Sequence, residues 1–406
     1  MGTNRRTDIE PSLAWLLQPL SVETFLNEIW AQTHYHVQRH RPGHFDDLLP
    51  ASSAVEQLLE SFRTEPSRVR LIREHDKKSA DNYRLADGSL DLACLRSDFA
   101  GGYTIVLEDV EQYVRAVAEL THAIEVELNF ATKVNAYVTP PESQGFVAHY
   151  DGHDVLILQV QGAKIWHLYE GVDVAPHQLR REKKWVADGL PSPTDLRLEA
   201  GDVLYLPRGK VHAAEATSVP SVHLTVGIHA PTALTFAAAA LNSLSFSDDR
   251  LNARLPPRHL EDVDARATLG ALLRDAARAI EDPGAVTGGL DALAEILVRR
   301  GNCPPVGPVA NAIAIDEKTV VRKYQPLYSR VTAATDGVTL QFAQLSITAG
   351  ADHESAMRFV SASTGPFRVG DLPELRAAQQ KELARSLIVS GFLVCCPTTD
   401  VDDPLR

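Results

Sequence analysis

"HYDGHDVLILQVQGAKIWHLYEG", residues 149–171, sets two histidines and two aspartates within six positions, directly before an almost unbroken apolar run. The run "VLILQV" has the length of a strand. His149 and Asp151 stand two apart, the spacing that sets two side chains on one face of a strand, so the pair can share one ligand. Further along, "LEAGDVLYLPRGKVHAAEA" (198–216) offers a Gly-Asp turn, a buried strand, a Pro-x-Gly turn and then His212. Strands distant in sequence can bring that histidine beside the first pair in a β-barrel. Two imidazoles and one carboxylate on one side of a metal leave the opposite positions open, the facial arrangement of non-haem Fe(II) sites. An isolated H-x-D tripeptide arises easily by chance. Here it is followed by a strand and then by G-D-x-L-Y-L-P-x-G-x-x-H in the right order, and the three features together favour a metal centre.

The neighbouring segments extend this picture. "VNAYVT", "KIWHLY", "DVLYLP" and "SVHLTVGI" are short β-rich runs between turn residues such as Pro140-Pro141, Gly162, Gly201 and Pro207, which suggests a barrel or a double-sheet jelly roll. Upstream, "PLSVETFLNEIW" reads as a short helix capped by Ser21, and "GYTIVLEDV" as a strand. "QYVRAVAELTHAIEVELNF" has apolar residues at 114, 117, 120 and 124, helical spacing that predicts packing on the sheet. Downstream, "ALTFAAAALNSLSF", "ATLGALLRDAARAIED" and "LDALAEILVRR" are three amphipathic helices, with Pro283-Gly284 and Gly288-Gly289 read as punctuation. "GNCPPVGPV" (301–309) reads as a linker, and the last hundred residues as a small α+β module. A helix followed by "GFLVCCP" raises a winged helix-turn-helix. From residue 310 onward, however, 10 Lys and Arg face 11 Asp and Glu, a poor balance for binding phosphates.

The 406 residues, 44% of them apolar, can fill the cores of two or three domains. A formal net charge of -13 argues against broad attraction to nucleic acid and suits a basic partner. No stretch approaches the roughly 20 apolar residues of a membrane span, and the N-terminus lacks the pattern of a secretory signal. Cytoplasmic residence is therefore expected. Cys94, Cys303, Cys395 and Cys396 form no C-x-x-C pair and are read as without a special role.

"VNAYVTPPESQGFVAHYDGHDVLILQVQGAKIWHLYEG" with "GDVLYLPRGKVHAA" closely resembles the JmjC-type 2-oxoglutarate oxygenases, in particular their cupin-like ribosomal oxygenase branch. The order of the flanking elements resembles that branch over nearly the whole chain. The resemblance implies an α+β protein: N-terminal αβ elements (1–125), a double-stranded β-helix core of jelly-roll type (126–230), a helical dimerisation region (231–300) and a winged-helix-like C-terminal domain (301–406). It implies Fe(II) held by His149, Asp151 and His212, and 2-oxoglutarate as co-substrate, its distal carboxylate on Lys164. A dicarboxylate that chelates iron at one end needs a cation at the other. Tyr137, Asn135 and Thr225 are implied as further co-substrate contacts. His223 shares a strand face with Thr225, and His153 is placed on the ligand face of the strand, with Asp154 pointing away; neither His153 nor Asp154 is expected to bind iron.

The implied activity is hydroxylation of a protein side chain, a His or Arg of a ribosomal protein, by a homodimer that binds neither membrane nor DNA. Lys164 in place of arginine is closer to the histidine hydroxylases. Other readings stay open on the residues alone: a cupin oxygenase acting on a peptide or small metabolite, a zinc hydrolase or isomerase using the same ligands, or a non-catalytic binding module. Demethylation of methyl-lysine also lies within the family's range.

Overall fold

The computed structural model describes residues 11–396 apart from 40, 173, 175–188, 256, 262, 301–314, 325 and 336. The expected linker at 301–309 and Cys303 lie outside the described residues. Contacts divide the chain into two compact units, 1–230 and 231–406.

In the first unit the antiparallel strands are β1 (Tyr35–Val37), β2 (Val69–Arg73), β3 (Asp76–Lys78), β4 (Thr104–Leu107), β5 (Ala131–Thr139), β6 (Asp154–Gln161), β7 (Ala163–Leu168), β8 (Thr194–Glu199), β9 (Val203–Leu206), β10 (His212–Ala216) and β11 (Ser221–His229). They form an eight-stranded sheet in the order β1-β9-β6-β11-β5-β4-β2-β3 and a three-stranded sheet in the order β10-β7-β8. The apolar run of β6 is explained by its position between layers. Leu156, Leu158 and Val160 enter the large core that also takes in Val117, Leu120 and Ile124 of the helix Arg115–Leu128, while Val155 and Ile157 face Trp166, Leu168 and Leu198 of the smaller sheet.

The same alternation sorts β5 and β11. Val134, Ala136 and Val138, with Val222, Leu224, Val226 and Ile228, enter the large core. Asn135 and Tyr137 are paired with Thr225 and His223 on the opposite face, towards the smaller sheet. Gly162 makes the turn from β6 to β7 at φ +69°, and a Cβ there would stand 2.0 Å from the Pro220 carbonyl oxygen. Only glycine fits so close a backbone approach, and the turn delivers Lys164 to the inner face. Upstream, Ser21 accepts the Thr24 N–H at 3.0 Å as expected, and the short helix Val22–Thr24 widens into a π-helical turn, Phe25–Ile29.

In the second unit the helices Ala233–Leu244, Val263–Ala279 and Pro283–Val298 precede two small sheets. The first sheet holds β12 (Val320–Lys323), β16 (Phe367–Arg368) and β17 (Leu393–Cys395), and the second β13 (Arg330–Ala334), β14 (Gly337–Phe342) and β15 (Leu345–Ala349). Val321, Leu340, Phe342, Met357, Val360 and Leu387 form their shared core with the helices Glu354–Ala362 and Ala377–Val389. Pro283-Gly284 marks a break as expected, between the helix that ends at Ala279 and the one that begins at Pro283, whereas Gly288-Gly289 does not. Pro283 opens a helix, where its missing N–H costs nothing, and Gly289 lies inside that helix, where a Cβ would come within 3.0 Å of Phe236. A side chain there would force the two helices apart.

Candidate metal centre and adjoining cavity

His149, Asp151 and His212 converge, with one possible ligand atom from each lying within 4.8 Å of the others. His149 and Asp151 do not stand on a strand as expected. β6 begins at Asp154, and His149 pairs with His212 in an isolated antiparallel bridge. His149 N–H donates to the His212 carbonyl at 2.9 Å, and His212 N–H returns a bond to the His149 carbonyl at 2.8 Å. A regular ladder through 149–153 would have held its side chains perpendicular to the sheet. The single bridge leaves the H-x-D segment free to turn Asp151 towards His212, whose Nε2 stands 3.8 Å from the Asp151 carboxylate.

Backbone carbonyls fix the tautomer of both rings. His149 Nδ1 lies 2.9 Å from the Val147 oxygen and His212 Nδ1 2.9 Å from the Lys210 oxygen. A carbonyl can only accept, so Nδ1 carries the proton and Nε2 keeps its lone pair, the form in which imidazole binds a metal. The donor set, two neutral imidazole nitrogens and one carboxylate, therefore fits a divalent transition metal.

The segments that carry the ligands are tied from behind. Gly209 N–H donates to the Asp151 carbonyl at 2.9 Å. The buried Asp154 carboxylate accepts the Tyr205 hydroxyl at 2.7 Å and the Arg208 N–H at 3.3 Å, and Tyr205 in turn accepts the Ala31 N–H at 2.9 Å. Asp154 thus points away from the metal side, as expected, and links the two ligand segments.

His153 does not share a strand face with the ligands, because it precedes β6. Its ring lies against Gly227, where a Cβ would stand 3.0 Å away, and beside His229 at a centroid distance of 4.5 Å.

The three ligands line an inner cavity of about 50 Å³ together with Lys164, Tyr137, Thr225, His223 and Trp166. Asn135 is not on its wall. It lines an outer cavity of about 520 Å³ that also meets Tyr137, His149, Asp151 and Thr225, so the two spaces join at the metal site. Ion pairs flank this mouth: Arg68 and Lys133 share Asp109, and Arg70 meets Glu108.

Lys164 is no solvated edge residue. β7 is the central strand of its sheet, the side chain is 3% exposed, and no carboxylate among the described residues pairs with it. Burial lowers its pKa from 10.5 to about 7. Tyr137 is pushed up to about 12, first by burial and then by the Asp151 charge. His223 is held well below 6.5 by burial and by the neighbouring Lys164. Trp166, two positions after Lys164 on the same face, was not singled out by sequence reasoning, although that spacing was a usable signal.

Residues 110–236 match the JmjC domain family. The bifunctional lysine-specific demethylase and histidyl-hydroxylase NO66 of Drosophila mojavensis is 30% identical over 226 residues, 53% of this chain and 24% of that protein. Ribosomal oxygenase 2 of Mus musculus is 29% identical over 279 residues, 66% of this chain and 59% of that protein. The chain thus spans between about a quarter and three fifths of these relatives. Among solved structures, Escherichia coli YcfD, a ribosomal oxygenase, in complex with cobalt and 2-oxoglutarate, aligns with a TM-score of 0.55 at 18% identity over 93% of this chain and 99% of that one. That likeness extends the shared fold through both units. The chain carries a JmjC domain over residues 110–236, and its relatives include the histidyl-hydroxylase NO66 and ribosomal oxygenase 2.

Proposed function

We propose that the protein is an Fe(II)- and 2-oxoglutarate-dependent oxygenase that hydroxylates a protein side chain, a His or Arg of a ribosomal protein. The observation that carries this reading is the His149, Asp151 and His212 cluster sharing one cavity with a buried lysine that has no carboxylate partner among the described residues. Burying an ammonium group without a counter-ion is costly, so the site is built for an anion that arrives with the ligand. A zinc hydrolase using the same three ligands has no need of that cation.

When bound, Fe(II) and 2-oxoglutarate supply the oxidation of a C–H bond by O2, with decarboxylation to succinate. The chain's own residues bind and orient. His149, Asp151 and His212 would hold the metal. Lys164 takes the distal carboxylate, and Tyr137 and Thr225 line its path. Asn135, two residues before Tyr137 on the same face of β5, lines the outer cavity beside the site. The outer cavity admits the substrate side chain.

Anaerobic addition of Fe(II) and then 2-oxoglutarate is expected to produce a visible metal-to-ligand charge-transfer band. Turnover with ribosomal protein peptides should add the mass of one oxygen atom. Methyl loss instead would move the reading to demethylation, and no band with retained anaerobic activity on zinc would sink it.

Homodimerisation through the second unit belongs to the same reading. Phe246 is 92% exposed, Leu260 78% and Leu273 71%, apolar side chains that a second copy would cover. Sedimentation at micromolar concentration is expected to give the dimer mass, and a clean monomer would remove this part. The strands and helices from β12 to β17 support a winged-helix-like module whose balanced charge disfavours DNA. Cytoplasmic residence accords with the free thiols of Cys94 and Cys395, and no described helix is long and apolar enough to cross a membrane.

A further inference from the structure

Among the cavity residues, His223 and Trp166 stand out because their ring N–H chemistry is unanswered. His223 is 3% exposed and its Nδ1 makes no hydrogen bond, and the Trp166 indole nitrogen, also buried, makes none. An unsatisfied buried donor or acceptor is costly enough that folded proteins keep few of them. His223 is also held rigidly. Its ring stacks on Tyr137 at 4.7 Å with an interplanar angle of 0°, and meets the Trp166 ring at 5.7 Å and 78°. It lines the same inner cavity as Lys164 and shares the inner face of β11 with Thr225.

We propose that His223 is a direct co-substrate contact, donating a neutral N–H to the distal carboxylate of 2-oxoglutarate beside the Lys164 ammonium. This rests on the oxygenase reading above. One cation and one neutral donor match a single carboxylate, which has two oxygens to satisfy. The packed rings preset the donor, so little side-chain freedom is lost on binding. Trp166 forms the wall that keeps the ring in place.

The test is equilibrium binding of 2-oxoglutarate to the Co(II)-loaded full-length protein, followed by calorimetry and the cobalt spectrum. His223→Phe keeps the stack on Tyr137 and loses the N–H, whereas His223→Gln keeps a donor. Thermal unfolding and Co(II) affinity without 2-oxoglutarate show that each variant is folded and metal-competent. The expected result is about tenfold to hundredfold weaker 2-oxoglutarate binding in His223→Phe, with unchanged Co(II) affinity and partial recovery in His223→Gln. Undiminished 2-oxoglutarate binding by a folded His223→Phe would overturn the inference and leave the ring as a packing element satisfied by water. Failure of the parent protein itself to bind 2-oxoglutarate would instead overturn the oxygenase reading.

Discussion

His212→Ala is expected to weaken Fe(II) or Co(II) binding by at least about a hundredfold, since changes to residues that merely support a metal ligand already cost up to about that factor. Turnover should fall by roughly a thousandfold or more, because the oxidation depends on the bound metal. The fold should persist. The bonds that place residue 212 opposite residue 149 run between backbone groups, and alanine retains both. Circular dichroism unchanged from the parent, with metal binding lost in calorimetry, is the diagnostic pair. Tight binding of the metal by folded His212→Ala would show that it sits elsewhere.

The second large effect is a pH dependence of 2-oxoglutarate affinity set by Lys164. Its pKa in the free protein is lowered to about 7 by burial, and a bound carboxylate favours the charged form and raises it. Below about pH 7 the lysine is already charged and affinity is greatest. Above that value binding must take up a proton, and affinity should fall roughly tenfold per pH unit until the pKa of the bound form is reached. Measured proton uptake in buffers of different ionisation enthalpy checks the sign. A flat affinity between pH 7 and 9 would exclude a neutral lysine in the free site.

Stability moves in a related way. The unfolded chain holds the Lys164 proton up to its ordinary pKa of 10.5, so the folding penalty is fully present below about pH 7 and is relieved as pH rises from there towards 10.5. Lys164→Met is therefore expected to stabilise the ligand-free protein at neutral pH, with a higher midpoint in urea, while abolishing measurable 2-oxoglutarate binding. A variant that lost stability together with binding would mean that the lysine is structural.

Much of the metal site was legible because its chemistry is written in short range. The H-x-D segment, the apolar strand after it and the later histidine stand in an order that a barrel brings together. The spacing in β11 likewise put His223 and Thr225 on one strand face, but that Tyr137 lies opposite His223 and Asn135 opposite Thr225 is set by the pairing of two distant strands. What escaped depended on partners far away in the chain. β8, "TDLRLE", buries only Leu198 fully, and β10, "HAAEA", is short and alanine-rich, so neither shows a strand's pattern in isolation. The strand expected at 149–153 failed because spacing alone does not reveal where a ladder stops and a single bridge takes over. The Gly288-Gly289 pair was misread for a comparable reason: small residues mark breaks in one helix and close crossings in two. The meeting of Lys164 with His223 joins two different sheets, and no local pattern encodes that register.

The interleaving within β5 and β11 has a consequence for how such a protein can change. Asn135, Tyr137, His223 and Thr225 face the two cavities, and the even positions 134, 136, 138, 222, 224, 226 and 228 between and beside them face the large core. Site and core are thus two messages written in alternate letters of one line. Substitution edits either message alone, so a single exchange at Asn135, Tyr137, His223 or Thr225 alters a cavity lining without touching the core face. Insertion or deletion of one residue shifts the reading frame of both at once, sending valines into the cavity and histidine into the core. Length variation is therefore barred from these strands and confined to the loops between them, while the chemistry drifts in place.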